Sequence, residues 1–382
     1  MPVLTSERHD EARSRRLEIL VAVLWLAAVA AATMQQGVSH QNNNFLIFRA
    51  ASQHLLHGRD LYAAYPAEHF DFYKYSPTFA LLFLPFALPP FAVAMALWNA
   101  LNAGALYAAI GAVLPRRAAI AARAIVFLDM LGSLQNVQSN ALVAALIILT
   151  CAAYERRHTV LGSLATAVGT NIKVFPLAGA SFAIFHPRKL RVAVALIASL
   201  GVLALLPLLV TSPSTLAAQY ASWRAIETTD ALERGFSLMY HVQLVFRRDW
   251  PNWPFQLLGV ALLVAPVLAG RERWGEWGFR RSYLCSVLVF CVLFNHQSES
   301  PTFVIPAAGV ALWFASLDRR TPWRWALFLL FAVGTVLASS DAMPRWLQEH
   351  LFDPYRLKTI PLLLVWVEMQ RQLWVRRSPV RQ

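Results

Sequence analysis

The chain has 382 residues, 57% of them hydrophobic and 14% charged, with a formal net charge of +13. A mean hydropathy of +0.47 means more apolar surface than one soluble core can enclose, which excludes an ordinary soluble domain and indicates an integral membrane protein. The positive charge does not indicate a nucleic-acid partner: the arginines fall in small groups between apolar runs, as the positive-inside rule describes, and form no basic face.

Taken in chain order, Arg8, Arg13, Arg15 and Arg16 precede an apolar run from Leu17 to Met34. A basic start of this kind resembles a secretory signal, but the many later spans make it a retained first helix with its amino end in the cytoplasm. Residues 40–78 are the first long polar segment, an outer loop. Within it, Phe45 to Leu56 carries apolar residues at Phe48, Ala51 and Leu55 with Gly58 placed to stop a helix. An amphipathic helix lying at the membrane interface is expected there. The run from Thr78 to Leu88 is too short to cross a bilayer and is read as a re-entrant half-helix, ended by Pro89-Pro90, with Phe91 to Leu114 as the true span.

Further spans are expected near 118–134, 141–154, 159–171, 174–185, 192–211, 255–270, 282–294, 302–316, 325–340 and 359–374. The fold class is therefore all-α, one polytopic membrane bundle over 1–382 with roughly twelve crossings. Short basic turns at Arg116-Arg117, Glu155 to His158, His186 to Arg191, Arg271 to Arg281, Asp318 to Arg320 and the tail Arg376-Arg377 are placed in the cytoplasm with both termini. The same map puts the polar segments on the outer face: 40–78, Gln135 to Asn140, Asn171 to Lys173, the long loop 212–254, Asn295 to Ser300 and 341–358.

These outer segments hold the candidate chemistry. Asp60, Glu68 and Asp71 lie close in sequence to Lys74, so a base and a phosphate-binding cation can share one pocket, while the aromatics around them, Tyr75 included, suit an interfacial belt as well. Lys173 ends an apolar run, where a cation is costly without an anion; either a lipid phosphate supplies one or the side chain snorkels to the headgroups. His296 and Glu299 sit in a polar cap where the histidine can donate to a phosphate, shuttle a proton, or satisfy helix-end carbonyls. Asp129, an acid within an apolar span, is a functional candidate or the partner of a neighbouring helix. The long loop adds Arg224, Glu233, Arg234, His241 and Arg247. Cys151, Cys285 and Cys291 lie in apolar runs and are read as packing residues. There is no zinc spacing, Walker loop, dinucleotide fingerprint or nucleophile elbow, so neither a metal nor a cofactor is called for.

Several motifs occur in a distinctive order: Phe45-Leu46-Ile47-Phe48-Arg49-Ala50-Ala51 leading to Leu55-Leu56-x-Gly58-x-Asp60-Leu61-Tyr62, then Tyr75-Ser76-Pro77, Leu88-Pro89-Pro90, Trp98 with Asn102, Gln138-Ser139-Asn140, Ile172-Lys173-Val174-Phe175-Pro176, and the cap from His296 to Pro301. In this order the chain resembles the membrane glycosyltransferases of GT-C type, in particular family 87, the polyprenol-phosphate-mannose-dependent mannosyltransferases. The resemblance implies a helical bundle in the plasma (inner) membrane whose catalytic cavity opens on the non-cytoplasmic side. It implies inverting transfer of a sugar, mannose or another hexose or pentose, from a polyprenyl-phosphate donor to a lipid or glycan acceptor, without metal or nucleic acid.

In that family an aspartate of the first outer loop serves as general base, commonly just before the aromatic that opens the first motif. This chain has Asn44 there, and an amide cannot take a proton from a sugar hydroxyl. The base is therefore expected at Asp71, then Glu68 or Glu299, with Asn44, Asp60, Lys74, Tyr75, Gln138, Asn140, Lys173, His296 and Arg234 as substrate-binding residues. Three other readings stay open: a lipid-linked sugar transporter or flippase, which needs polar groups reachable from both faces; a polysaccharide polymerase or ligase working through 212–254; and a non-catalytic family member.

Overall fold

Helices make up all the regular structure of the computed structural model, which describes residues 2–39, 42–230, 234–340 and 343–375; no strand occurs among them. The expectations placed on His40, Glu233, Asp341 and Arg376-Arg377 lie outside the described residues. α1 spans Pro2–Ser39, α2 Asn43–Leu56, α3 Pro77–Leu82, α4 Leu84–Ala87 and α5 Phe91–Val113. α6 (Arg116–Ile125) and α7 (Phe127–Gln135) are one expected span bent by 50°. α8 (Asn140–Glu155) and α9 (Thr159–Ile172) follow, then a 3₁₀ segment, Phe175–Phe185, and α10 (Lys189–Leu205).

The second half of the chain has α11 (Pro213–Asp230), α12 (Leu238–Phe246), α13 (Trp253–Ala269), α14 (Trp277–Leu293), α15 (Val304–Ala315), α16 (Pro322–Phe331), the single turn α17 (Arg345–Leu347) and α18 (Thr359–Trp374). Three helical stretches are long and apolar enough to cross a membrane alone: Asp10–Gly37, Phe91–Val113 and Lys189–Leu209, with the bent α6 and α7 pair as a fourth. Six further apolar helices have only 10–17 residues. The protein is a helical membrane protein, and how many times it crosses depends on these short helices.

Burial sorts the helices. α15 is buried along its whole length, which is why its sequence is apolar on every side. It packs on α14, and α8 packs between α5 and α9. α10 is the opposite case: only Val192 and Leu203 are buried, while Leu190, Val194, Ile197 and Val202 are exposed. Such an apolar outer surface belongs against lipid tails.

The first loop carries the expected helix. α2 starts and stops as its sequence suggests, with Gly58 at a φ of +66°, a left-handed conformation that glycine adopts at little cost. One face is buried through Phe45, Ile47, Phe48, Ala50, Ala51, Ser52, His54 and Leu55, while Gln53 and Leu56 are exposed. α3 and α4 cover one side of it. Phe48 meets Tyr75, Phe79, Phe83 and Trp98 edge-on at centroid distances of 4.9 to 6.1 Å, the geometry aromatic rings prefer. The hydroxyl of Ser52 joins the two layers by donating to the Ala80 carbonyl at 2.7 Å.

The bundle has two chemically distinct ends. At one, basic groups are tied to acids: Glu18 to Arg116 at 2.7 Å and Glu155 to Arg280 at 2.6 Å between helices, and Glu368 to Arg324 of α16 at 3.4 Å and to Arg371 of its own helix at 2.7 Å. At the other, the first loop, the turn from 135 to 140, Lys173, the long loop and the cap from 295 to 300 come together. α8 and α9 connect the two ends, since Asn140 and Ile172 sit at the second while Glu155 and Thr159 sit at the first.

Candidate active site

The polar end encloses a cavity of about 960 Å³. Its walls are set by short-range chemistry that can be followed residue by residue. Ser76 caps α3 by accepting the Phe79 N–H, and its hydroxyl donates to the Asn171 carbonyl at 2.6 Å. Tyr62 and Tyr73 donate to the carbonyls of Tyr75 and Ser76 at 2.7 and 2.8 Å. These bonds hold Tyr75-Ser76-Pro77 against the end of α9, so Lys173 emerges beside Tyr75, its ammonium 5.9 Å from the centre of that ring. Asn102, buried on α5, accepts the N–H of Leu142 and fixes the start of α8 next to it.

Lys173 is at the centre of a network. Its ammonium donates to Asn140 Oδ1 at 2.7 Å and to Gln138 Oε1 at 3.4 Å, and Gln138 Nε2 donates to Glu299 Oε2 at 3.0 Å. Burial lowers the proton affinity of Lys173 and Glu299 opposes that shift. A cation held by amides, with its nearest countercharge beyond a glutamine, suits a site that receives an anion. Glu299 is itself held by the backbone: it caps the turn Ser300–Phe303 through Thr302.

The roof is a seam between two distant segments. Gly235 N–H donates to the His296 carbonyl and Phe236 N–H to the Ser298 carbonyl, both at 2.7 Å. A side chain at 235 would put its Cβ 2.3 Å from the Ser298 oxygen, so this approach requires glycine. His296 Nδ1 lies 3.5 Å from Gln256 Nε2. Arg234 enters the cavity wall while its guanidinium donates to Asp249 at 2.7 Å and to the Trp250 carbonyl at 3.0 Å.

The structure brings nine of the sequence candidates to this cavity: Asn44, Asp71, Lys74, Tyr75, Gln138, Lys173, Arg234, His296 and Glu299. Asn140 stands behind the wall and holds Lys173. Asp60 and Glu68 are not part of the lining. Glu68 is 3.0 Å from His54 Nε2 and 4.0 Å from Arg59, and Asp60 accepts the Tyr62 N–H while Ser222 donates to its other oxygen at 3.4 Å. Asp71 is exposed at the cavity, with one oxygen accepting the Phe72 N–H at 2.7 Å.

Asn44 has a definite task. Its side-chain N–H donates to the Asn136 carbonyl at 2.9 Å, tying α2 to the turn that carries Gln138 and Asn140. A carboxylate at this position could not make that bond and would face a carbonyl oxygen.

Sequence reasoning missed Arg356 and Gln256, which also line the cavity. Arg356 stacks over Phe236 and Tyr240 at 4.9 and 5.2 Å, and its backbone is left-handed at a φ of +52°. The only signal was its place in a polar segment far down the chain. Below the cap, Lys358 donates to Ser300 Oγ at 2.9 Å; burial lowers it to about 8, with Asp129 and Asp353 pulling the other way. The charge of Asp129 on α7 thus acts on this buried cation without a direct contact between the two.

The lining also carries apolar residues, among them Phe175, Leu177, Ala178, Val260, Phe290 and Phe294, and a further acid, Glu227. The cavity therefore combines charged and hydrocarbon groups. Residues 72–295 match the family model of glycosyltransferase family 87. No curated protein matches the chain.

Proposed function

Since the chain belongs to glycosyltransferase family 87, we propose that it is an inverting membrane enzyme of GT-C type that moves a sugar, mannose or another hexose or pentose, from a polyprenyl phosphate to a hydroxyl of a lipid or glycan acceptor. The observation that carries this reading is the mixed lining of the cavity. Lys74, Lys173, Arg234, His296 and Arg356 lie on the same enclosed surface as the apolar wall from Phe175 to Ala178 and Phe290 to Phe294. That combination suits a donor with a phosphate head and a hydrocarbon tail, because the head needs charge and the tail needs an apolar path.

Asp71 is the general base of this reading. It is the acid of the first loop that lines the cavity, and a base must reach the acceptor hydroxyl directly or through one water. Glu68 is engaged by His54 outside the cavity, and Glu299 caps a turn and accepts from Gln138. As the sugar leaves, negative charge grows on the phosphate oxygen. Lys173, backed by Asn140 and Gln138, is positioned to stabilise it, and in a site closed to water such a contact strengthens as the charge develops. Inversion follows when the acceptor, on the Asp71 side, attacks the anomeric carbon opposite the departing phosphate. In this reading the basic turns face the cytoplasm, and the cavity opens on the non-cytoplasmic face of the plasma membrane with both termini inside.

The test is a transfer assay with purified protein in lipid, offered a panel of polyprenyl-phosphate sugars and scored by release of polyprenyl phosphate. Release that depends on Asp71 supports the reading. Donors that bind without release from any member of the panel would replace it with a transporter or a non-catalytic family member.

A further inference from the structure

The turns at the basic end take no part in the transfer chemistry, yet one of them is built differently from the rest. His186 ends the 3₁₀ segment and is only 4% exposed. Its Nδ1 accepts the backbone N–H of Arg188 at 3.1 Å. In the neutral ring this places the proton on Nε2, which has no hydrogen-bond partner among the described residues. Burial lowers the proton affinity of His186, and Arg157, Arg188 and Arg191 lower it further, while the bond to the Arg188 backbone opposes them. The ring is thus a neutral donor surrounded by cations.

Two adjoining recesses meet at this histidine, of about 880 and 500 Å³. They share His186, Pro187, Arg188 and Arg191; Arg157 completes the second, and no carboxylate lines either. A third recess, which His186 and Arg157 also border, holds Glu155, and Arg280 engages that acid through two bonds of 2.6 and 2.8 Å. Elsewhere at this end several cations meet acids: Arg116 and Arg123 with Glu18, and Arg324 and Arg371 with Glu368. The turn at His186 instead leaves a buried N–H donor without a partner among the described residues.

We propose that this recess is a binding site for an anionic phosphate headgroup, with His186 Nε2 donating to a phosphate oxygen and Arg157, Arg188 and Arg191 neutralising its charge. The walls favour a lipid as the source. Val160, Leu161, Leu190 and Val194 are exposed apolar residues that line the two recesses and continue into the lipid-facing surfaces of α9 and α10, a path for acyl chains below a headgroup held by the arginines. The site lies at the far end of α9 from Lys173, about 20 Å away by helix rise, so it is separate from the catalytic cavity.

Native mass spectrometry of the full chain in a neutral detergent tests this, titrated with phosphatidylglycerol, with phosphatidylcholine, and with inorganic phosphate as competitor. Phosphatidylglycerol is expected to be retained about tenfold more tightly than phosphatidylcholine, and Arg188→Gln with Arg191→Gln to remove that preference. Both arginines are exposed, so an unchanged melting temperature shows that the double variant is folded. His186→Phe keeps the ring and removes the donor, and is expected to weaken retention several-fold where the protein remains folded. Displacement of the lipid by millimolar inorganic phosphate would assign the site to free phosphate, and resistance to it would assign it to lipid. Equal retention of the two lipids, or phosphatidylglycerol binding that survives the double variant, would overturn the proposal.

Discussion

The two ends of this bundle hold several of their cationic side chains differently. At the basic end, Arg116, Arg280 and Arg324 close on acids from other helices and act as ties. At the cavity end Arg234 is likewise paired with Asp249, but Lys173 meets amides and Arg356 lies over aromatic rings. The difference is instructive because paired charges contribute to the fold, while a cation supported only by neutral groups keeps its charge available for a ligand. His186, with an N–H that has no partner among the described residues, stands apart at the basic end, and for that reason it carries the further proposal.

Four substitutions probe this contrast. The largest effect is expected at Asp71: Asp71→Asn should lower sugar transfer by about 10²–10⁴-fold, the usual contribution of a general base, with an unchanged melting temperature because the side chain is exposed. Full activity in that variant would remove Asp71 from the mechanism. Next, Lys173→Met should weaken donor binding by about 10- to 100-fold, in line with a charge-assisted hydrogen bond. A titration showing unaltered donor affinity would make Lys173 a structural residue like those at the other end.

Asn44→Asp sets a carboxylate against the Asn136 carbonyl and should cost about 1–3 kcal/mol of stability, read from denaturant unfolding in detergent, with no gain in transfer. A rise in transfer would show instead that the base belongs at this position. The smallest effect belongs to the basic end. Arg280→Gln breaks a bidentate pair with Glu155 and should cost about 1 kcal/mol while leaving transfer unchanged. If transfer falls as steeply as in the cavity variants, the two ends are coupled and the contrast fails.

Much of the fold was legible because the relevant signals are local. α18 occupies Thr359–Trp374, the expected span, and α2 stops where Gly58 permits a left-handed turn. Tyr75-Ser76-Pro77 reads as a helix start because Ser76 can cap and Pro77 needs no N–H donor, and the structure uses it that way. The bend between α6 and α7 and the 3₁₀ course of Phe175–Phe185 were not legible, since hydropathy marks an apolar run without saying whether its helix is straight, bent or tightened.

The candidate site divides along the same line. Asn44, Asp71, Lys74, Tyr75, Gln138, Lys173, Arg234, His296 and Glu299 stood out as polar residues of the outer segments, and Lys173 in particular as a cation ending an apolar run, where a charge is costly. Glu68 and Asp60 carried the same signal and yet face His54 and Ser222, partners that proximity in sequence does not reveal.

By itself the sequence determined that this is a helical membrane protein, where most of its helices end, and which residues carry polar chemistry, because hydropathy, capping and charge act within a few neighbours along the chain. Only the tertiary structure decided what the buried face of α2 packs against, that Asn44 is a tie to Asn136, that Gly235 closes on Ser298, and that Arg356 joins the cavity. Each of these depends on a contact between segments far apart in sequence, and such contacts are set by how whole helices pack, which no local pattern encodes.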